Sequence, residues 1–370
     1  MTTAGILDGI RVIEMAGLGP APYCGQLLAD LGAEVIIIDR PNRPTPYMID
    51  GRGKKSIALD LKNPDAVAAT LKLIETADVL IEGYRPGVME RRGIGPNTCQ
   101  KLNPKLVYGR MTGWGQSGPW STTAGHDINY LSITGFMHLI GKKDEAPAPP
   151  LNLVGDYGGG SLFLALGILS ALLKAQKTGK GDVVDAAIID GVSSMMGIVH
   201  SVKSFGRWSE KREDNVLDGG APFYRCYKTK DEKFMAIGCI EAKFFALMLD
   251  ILQVSPDIYG NQNDKTDWPR QHQLLESVYA SKTRDEWAEL FSGTDACVTP
   301  VLDLAEAQDH PHNQARVSHQ SYNGMSHPQI APRFEGMELN TPKEITQAGE
   351  HTVEILKSIG LDNSTIANLT

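Results

Sequence analysis

The sequence predicts an α/β protein, with a Rossmann-like large domain built on a parallel sheet and a smaller α+β domain after it. Apolar strand segments alternate with helical segments early in the chain, which is typical of a parallel sheet with helices packed on its faces. Turn signals and a change in composition near residue 204 separate this part from the rest. The length of 370 residues allows about two domains.

The alternation starts at Ile10 and continues through six segments. In order, they are RVIEMAG, PYCGQLLADLG, AEVIIIDR, PDAVAATLKLIETA, DVLIEGY and KLVYGRMTG. Repeated strand–helix units of this kind form parallel sheets.

The middle of the chain is less regular. Polar chain extends over residues 116–125, and helices are expected to begin after Asp127 and after Asp156. The most apolar run, residues 162–173, is shorter than the roughly 20 residues that a membrane span needs, and it predicts a buried helix. An apolar strand, DVVDAAIID, follows a glycine-containing turn. We therefore expect no membrane partner.

Domain boundaries are predicted from composition. Residues 1–203 are expected to form the large domain, and the polar, glycine-containing residues 204–221 a linker. Residues 222–314 combine short strands with amphipathic helices and predict the small domain. The tail, residues 315–370, is expected to return to the large domain.

Charge and cysteine content exclude several classes of function. The chain has 36 Lys+Arg against 44 Asp+Glu and no basic run with interleaved aromatic residues, so nucleic acid is not an expected partner. The five cysteines form no CxxC pair or His/Cys cluster, which indicates reduced thiols and no metal site. Because neither a secretory signal nor a peroxisomal address of the SKL type occurs, we expect a cytoplasmic protein.

The glycines after the first strand resemble part of a dinucleotide fingerprint. Gly17 and Gly19 follow RVIEMA, and Asp39 closes the next strand about 20 residues later. However, Pro22 occupies the third glycine position, and Pro20 removes an amide that a pyrophosphate would use. We therefore favour a tight turn into a helix that one of these prolines begins.

A histidine and two aspartates stand at the expected helix starts. Asp127 and Asp156 each precede a run that should be helical, and an aspartate in that position is most simply a cap. His126 lies in a glycine-flanked turn where a cap needs no imidazole, although a surface histidine is the commoner outcome. Together, a histidine and an aspartate at helix N-termini could stabilise an enolate and move protons. A metal site is less attractive because no second histidine lies at ligand spacing.

Long and specific motifs extend from about Leu7 to Arg333. They include RVIEMAGLGPAPYCGQLLADLGAEVIIIDRP, KKSIALDLK, ADVLIEGYRPGVMERRGIG and GRMTGWGQSGPW. These segments closely resemble the class III coenzyme A transferase superfamily, of the CaiB/BaiF type. Other segments resemble one branch of that superfamily, the α-methylacyl-CoA racemases. They are GHDINY, PPLNLVGDYGGG, GAPFYRCYKT, AIGCIEAKFF and DACVTPV.

The resemblance implies a reaction and its catalytic residues. In the transferases, the aspartate at the position of Asp127 attacks a CoA thioester as a nucleophile. Members that resemble racemases have a histidine directly before it, as His126 is here. The resemblance therefore implies a two-base proton transfer at the α-carbon of (2R)- and (2S)-2-methylacyl-CoA, by His126 on one face and Asp156 on the other. Glu241 would orient and polarise His126.

The resemblance also suggests where the CoA part of the substrate binds, and it implies no separate cofactor and no metal. The family positions for CoA are Arg40, Asp60, Leu61, Lys62, Gly83, Tyr84, Arg85, Arg91 and Gly125. Without the resemblance, Lys62, Arg91 and Arg92 would be assigned to a solvated surface. Met111, Met195 and Met196 are suggested to form a flexible apolar surface that binds the acyl chain. Without that role, they would be assigned to the core.

Family members form interlocked homodimers, which implies a site between the large domain of one subunit and the small domain of its partner. Glu241 of the partner subunit would then face His126. Three other functions stay open: a CoA transferase that uses Asp127 as nucleophile, a nicotinamide-dependent dehydrogenase, and a non-catalytic acyl-CoA binding protein. The sequence does not distinguish a branched fatty, sterol or aryl-propionyl acyl group.

Overall fold

The computed structural model describes residues 5–43, 45–337 and 343–369. They form two compact units. The first unit is drawn from residues 1–134, 149–196 and 317–370, and the second from residues 135–148 and 197–316. The expected linker, residues 204–221, lies within the second unit. Residues 338–342 of the expected returning tail lie outside the described part of the chain.

The first unit is built on a sheet of six parallel strands, which confirms the predicted fold class. The strands are β1 Arg11–Met15, β2 Glu34–Asp39, β3 Lys55–Ala58, β4 Val79–Glu82, β5 Val107–Thr112 and β6 Val183–Ala187. Their order is β3-β2-β1-β4-β5-β6. In this Rossmann-like order, the direction in which strands are added reverses between β1 and β4. The alternation did not predict β3, which has only four residues and begins with a lysine.

Helices connect and cover these strands. They are Pro20–Asp30, Pro64–Glu75, Val88–Arg91, Pro96–Leu102, Asp127–Ile133, Leu162–Thr178, Ile188–Met195, Thr352–Ser358 and Asn363–Leu369, with a 3-10 turn at Ile49–Gly51 and a π-helix at Leu153–Ser161. Pro20 begins the first helix, as predicted, since proline at this position removes an amide that would have no helical acceptor. The predicted strand DVVDAAIID ends at Ala187, and its last residues start a helix instead.

The apolar helix Leu162–Thr178 is only partly covered by its own chain, which corrects the prediction of a buried helix. Leu164 and Ile168 are fully buried, whereas Leu166 is 62 % exposed. Together with the π-helix before it, this helix forms a run of 26 residues that is long and apolar enough to cross a membrane by length and composition. Hydrophobicity alone did not distinguish the covered face from the uncovered one.

The C-terminal segment packs on β3 and on the core of the first unit. The backbone N–H of Ala58 donates to the hydroxyl of Thr352 (3.0 Å), and the N–H of Ser56 donates to Nδ1 of His351 (3.3 Å). Ile355 and Leu356 are buried in the same hydrophobic cluster as Ile57. A short antiparallel hairpin precedes this segment, with strands His319–Tyr322 and Met325–Pro328.

The second unit is a small α+β structure with its own core. Its antiparallel sheet contains Tyr224–Lys228, Phe234–Gly238 and Val298–Pro300. Its helices are Gly197–Ser204, Ala242–Ile251, Pro256–Tyr259, Trp268–Tyr279, Arg284–Phe291, Leu304–Asp309 and Pro311–Ala315, with a 3-10 turn at Phe136–Leu139. Aromatic side chains fill the core, and the rings of Tyr227 and Tyr279 stack with centroids 5.4 Å apart.

Candidate active site

A cavity of ≈ 360 Å³ opens where β4 and β5 end. Open α/β sheets bind ligands at the carboxyl ends of their strands, near the point where the strand order reverses. The hydroxyl of Tyr84, just after β4, donates to the carbonyl of Ala16, just after β1 (3.0 Å), so it links the two loops at that point. The cavity brings together five of the predicted site residues, namely Gly83, Tyr84, Arg85, Gly125 and His126.

His126 occupies the N-cap position of the helix Asp127–Ile133. Its carbonyl accepts the N–H groups of Asn129 (2.8 Å) and Tyr130 (3.2 Å), and its own N–H donates to Oδ1 of Asn129 (3.0 Å). The residue is exposed. Asp127, which the sequence predicted as the cap, is instead the first residue inside the helix, so the cap prediction was wrong.

The carboxylate of Asp127 contacts a different segment. Its Oδ1 accepts the backbone N–H of Asp156 (2.7 Å), and the N–H of Gly155 also donates to this carboxylate. Asp127 is 9 % exposed, and its Oδ2 is buried without a partner among the described residues. Burial raises the pKa of Asp127, although the two amides oppose that shift.

Asp156 lies inside the π-helix Leu153–Ser161 and does not precede a helix, so its cap prediction was also wrong. Burial raises the pKa of Asp156, and the charge of Asp127 raises it further. The side chain of Asn152 and the charge of His126 lower it. The structure thus brings His126, Asp127 and Asp156 within electrostatic range of one another.

Glycines allow this close approach. A Cβ at Gly155 would lie 2.2 Å from Oδ1 of Asp127, and a Cβ at Gly19 would lie 3.4 Å from Oδ2 of Asp156. The loop after β1 therefore packs against Asp156. Asp39, which would bind a ribose in a dinucleotide protein, is 1 % exposed and accepts hydrogen bonds from Tyr47 and Ser56.

Tyr130 lines the cavity, and the sequence analysis assigned it no role. Its hydroxyl donates to the carbonyl of Gly125, directly before His126. Its ring packs edge-on against Trp114 with centroids 4.7 Å apart, and a Cβ at Gly113 would overlap the ring. Gly113 and Tyr130 are far enough apart in sequence that no local pattern indicates their contact.

The predicted CoA-binding cations follow β2, β3 and β4 in the chain, and one of them, Arg91, ends the short helix Val88–Arg91. Arg40, Lys62, Arg85 and Arg91 are all exposed. The loop after β3 is ordered by the carboxylate of Asp60, which accepts the N–H of Lys62 (3.0 Å).

Further contacts show that these loops meet. Arg92 donates to the carbonyl of Leu61 (3.1 Å). Burial raises the pKa of Tyr84, and the charges of Arg40 and Arg92 oppose the shift, so both cations act on one tyrosine.

The remaining predicted residues have different environments. Among the three methionines, Met111 and Met196 are buried, whereas Met195 is 43 % exposed. Glu241 is exposed in the second unit, where it precedes the helix Ala242–Ile251. Its proposed contact with His126 stays a prediction.

Residues 7–352 match the family model of CoA-transferase family III. The chain is 43 % identical over 369 residues to the α-methylacyl-CoA racemase of Mus musculus, covering 98 % of this chain and 96 % of that protein. It is 43 % identical over 368 residues to the racemase of Homo sapiens, with the same shares covered. A CaiB/BaiF family protein from Brucella suis has the same fold, with a TM-score of 0.83, 24 % identity and coverage of 96 % and 100 % of the two chains.

Proposed function

The chain belongs to CoA-transferase family III, and we propose that it is an α-methylacyl-CoA racemase whose two bases are His126 and Asp156. It interconverts (2R)- and (2S)-2-methylacyl-CoA. The proposed catalytic roles depend on one observation above all: His126 and Asp156 come from separate segments that a hydrogen bond joins, from the backbone N–H of Asp156 to Oδ1 of Asp127, the residue after His126 (2.7 Å). CoA is part of the substrate, and we propose no separate cofactor.

The chemistry requires removal of a weakly acidic proton. One base takes the α-proton, and the electron pair of the C–H bond moves into the thioester to form an enolate. The other base then delivers a proton to the opposite face. A base works best when its pKa lies near the operating pH, and the raised pKa of Asp156 is a shift in that direction. The backbone N–H of Asp127 is the proposed donor to the enolate oxygen.

The transferase alternative needs Asp127 as a free nucleophile. In this chain, one oxygen of that carboxylate accepts the N–H of Asp156, and the other is buried. Such a carboxylate would have to break its hydrogen bonds and move before it could attack a thioester. This geometry favours the racemase over the transferase.

We further propose that CoA lies across the loops after β2, β3 and β4. The exposed cations Arg40, Lys62 and Arg91 would bind its phosphates, and the segment Gly83, Tyr84 and Arg85 would guide the pantetheine chain toward His126. Binding through exposed cations should weaken as salt concentration rises.

A homodimer is part of the proposal. The uncovered face of Leu162–Thr178, with Leu162, Leu166 and Leu173 each more than half exposed, is a surface that a second copy would cover. Glu241 of the partner subunit would then orient His126. Co-expression of His126→Ala and Glu241→Gln chains tests this arrangement, since a mixed dimer would hold one intact site and recover activity that neither variant has alone. We also propose a cytoplasmic location, in which the free cysteines stay reduced.

The activity is tested with a single enantiomer of a 2-methylacyl-CoA in deuterated water, without any acceptor acid. The proposal predicts α-deuterium uptake together with loss of optical purity. No uptake, but transfer of CoA to an added carboxylic acid, would contradict it and would assign Asp127 as the nucleophile.

A further inference from the structure

We infer that the carboxylate of Asp127 is a positioning group, which fixes the backbone that carries the base Asp156. This inference rests on the proposed racemase function and assigns Asp127 a role other than nucleophile. Its Oδ1 accepts the N–H of Asp156 at 2.7 Å, across 29 residues of sequence, and the N–H of Gly155 donates to the same carboxylate. The two segments are therefore joined at the catalytic residue itself.

The π-helix has a specific need for this contact. The first amides of any helix have no acceptor within it, and Gly155 and Asp156 lie in the first turn of Leu153–Ser161. The first amide in this helix that bonds back to its start is that of Tyr157, which donates to the carbonyl of Asn152 (3.3 Å). Asp127 thus caps the π-helix from another segment, at two of the four residues, 153–156, whose amides come before that first backbone bond.

The fit between the two segments is close. A Cβ at Gly155 would lie 2.2 Å from Oδ1 and 2.8 Å from the carboxylate carbon of Asp127, so only glycine fits at this position. Asp127 itself is 9 % exposed. A contact this tight allows little movement of the Asp156 backbone, and catalytic geometry is sensitive to displacements of about 1 Å.

The charge of Asp127 has an effect separate from its geometry. A buried carboxylate oxygen without a partner is unfavourable, and a neutral acceptor would satisfy the same two amides at a lower desolvation cost. The charge raises the pKa of Asp156, against the influence of Asn152 and His126. The charge of Asp156 in turn acts on Tyr130, whose pKa is raised mainly by burial. Geometry and charge can therefore be separated by substitution.

The test compares Asp127→Ala, which removes acceptor and charge, with Asp127→Asn, which keeps an acceptor oxygen. Asp78→Asn is the matched control, since Asp78 also accepts a distant backbone N–H, that of Arg11 (2.9 Å), but at the amino ends of β1 and β4. For each variant, α-deuterium uptake is measured separately from the (2R) and the (2S) thioester in deuterated water, with kcat and KM.

Asp127→Ala should slow uptake about a hundredfold from the enantiomer whose proton Asp156 removes, the size of effect that a misplacement of roughly 1 Å produces. That enantiomer is identified as the one that Asp156→Asn also slows. Uptake from the other enantiomer and KM should change by less than about fivefold, or roughly 1 kcal/mol at 1.36 kcal/mol per factor of ten.

Asp127→Asn should recover most of the lost rate. The acid limb of its pH profile should move to lower pH, because loss of the neighbouring charge lowers the pKa of Asp156 and keeps this base deprotonated in more acidic solution. Asp78→Asn should match the wild type. If Asp127→Ala does not fold, Gly155→Ala disrupts the same contact from the other side and should show the same enantiomer bias.

Equal slowing of α-deuterium uptake from both enantiomers in Asp127→Ala or Gly155→Ala would overturn the inference, because a general loss of structure would affect both faces of the α-carbon alike. It would also be overturned if Asp127→Asn were as slow as Asp127→Ala with an unchanged pH profile, since the carboxylate itself would then be required. A wild-type protein without any α-deuterium uptake would instead refute the proposed racemase function.

Discussion

Glu14 in the first unit and Glu306 in the second are both paired with basic side chains, yet their pKa values shift in opposite directions. Glu14 is 1 % exposed and has one cationic partner, Lys54 (2.7 Å), and burial raises its pKa to about 7. Glu306 lies nearer the surface between Arg284 and Lys233, which hold its pKa below the usual range. The number of cationic partners and the access to water therefore decide whether the pKa of a glutamate is raised or lowered.

The carboxylates of Asp127 and Asp156 follow the pattern of Glu14. Asp127 is buried and Asp156 is half-buried, and burial is the main cause of the raised pKa in both. No lysine or arginine within the described residues forms an ion pair with either of them. A raised pKa moves a carboxylate toward the range that suits a general base, whereas arginine and lysine partners lower the pKa, as they do for Glu306.

The largest effect is expected when a proposed base is removed. Asp156→Asn and His126→Ala should each lower net racemisation by about 10²–10⁴-fold, the usual contribution of a general acid–base group. Chiral analysis of the product thioester measures this rate. Glu306→Gln is the control from the second unit and should leave kcat unchanged. A loss of similar size in the control would break the distinction between the two kinds of carboxylate.

The next effect concerns stability. Lys54→Met leaves Glu14 buried without a cation, and loss of one partner from a buried pair costs about 3–5 kcal/mol. Urea unfolding measures the free energy. Lys233→Met removes the ion pair between Lys233 and Glu306 (2.8 Å), which lies nearer the surface, and it should change the urea midpoint very little. Equal effects of the two substitutions would contradict the comparison.

The pH dependence of stability should differ in sign between the two glutamates. Because the folded-state pKa of Glu14 is raised from 4.5 to about 7, its contribution is complete below pH 4.5 and is lost as pH rises through about 7. Glu14→Gln should remove this part of the dependence of the free energy of unfolding on pH. Glu306 contributes above its ordinary pKa, and that contribution disappears as the solution becomes strongly acidic. Urea midpoints across this pH range would show both slopes.

The smallest effect compares two tyrosine hydroxyls. Tyr130→Phe removes the hydrogen bond to the carbonyl of Gly125 and should lower kcat several-fold, corresponding to about 1 kcal/mol. Tyr259→Phe in the second unit removes a buried hydroxyl that has no partner among the described residues, so it should leave activity unchanged and stability equal or higher. Steady-state kinetics and urea midpoints of both variants measure these effects on kcat and on stability.

The sequence predicted what depends on local periodicity. The segments from RVIEMAG to KLVYGRMTG carry enough valine, isoleucine and leucine in short runs to identify four of the six parallel strands. The segment DVVDAAIID identified a fifth strand, β6, which ends earlier than predicted. Residues 55–58 were missed because four residues that begin with a lysine have too weak a pattern.

The arrangement of the site depended on contacts that no local pattern contains. Capping rules placed Asp127 at its own helix, yet its acceptor oxygen serves amides 29 residues away. The sequence predicted that a helix begins after Asp156, whereas VGDYGGG already belongs to a π-helix that packs closely against Asp127 and against Ile188 and Val192 of a later helix. His126 and Asp156 were assigned only by the family resemblance, and the structure adds their proximity.

The most direct test of the central claim is the rate of α-deuterium uptake from each separate enantiomer by His126→Ala and by Asp156→Asn in deuterated water. Two bases on opposite faces predict mirror-image results, in which each variant is slow with one enantiomer and retains uptake from the other. Equal and mild losses with both enantiomers in both variants would contradict the assignment of His126 and Asp156 as the two bases.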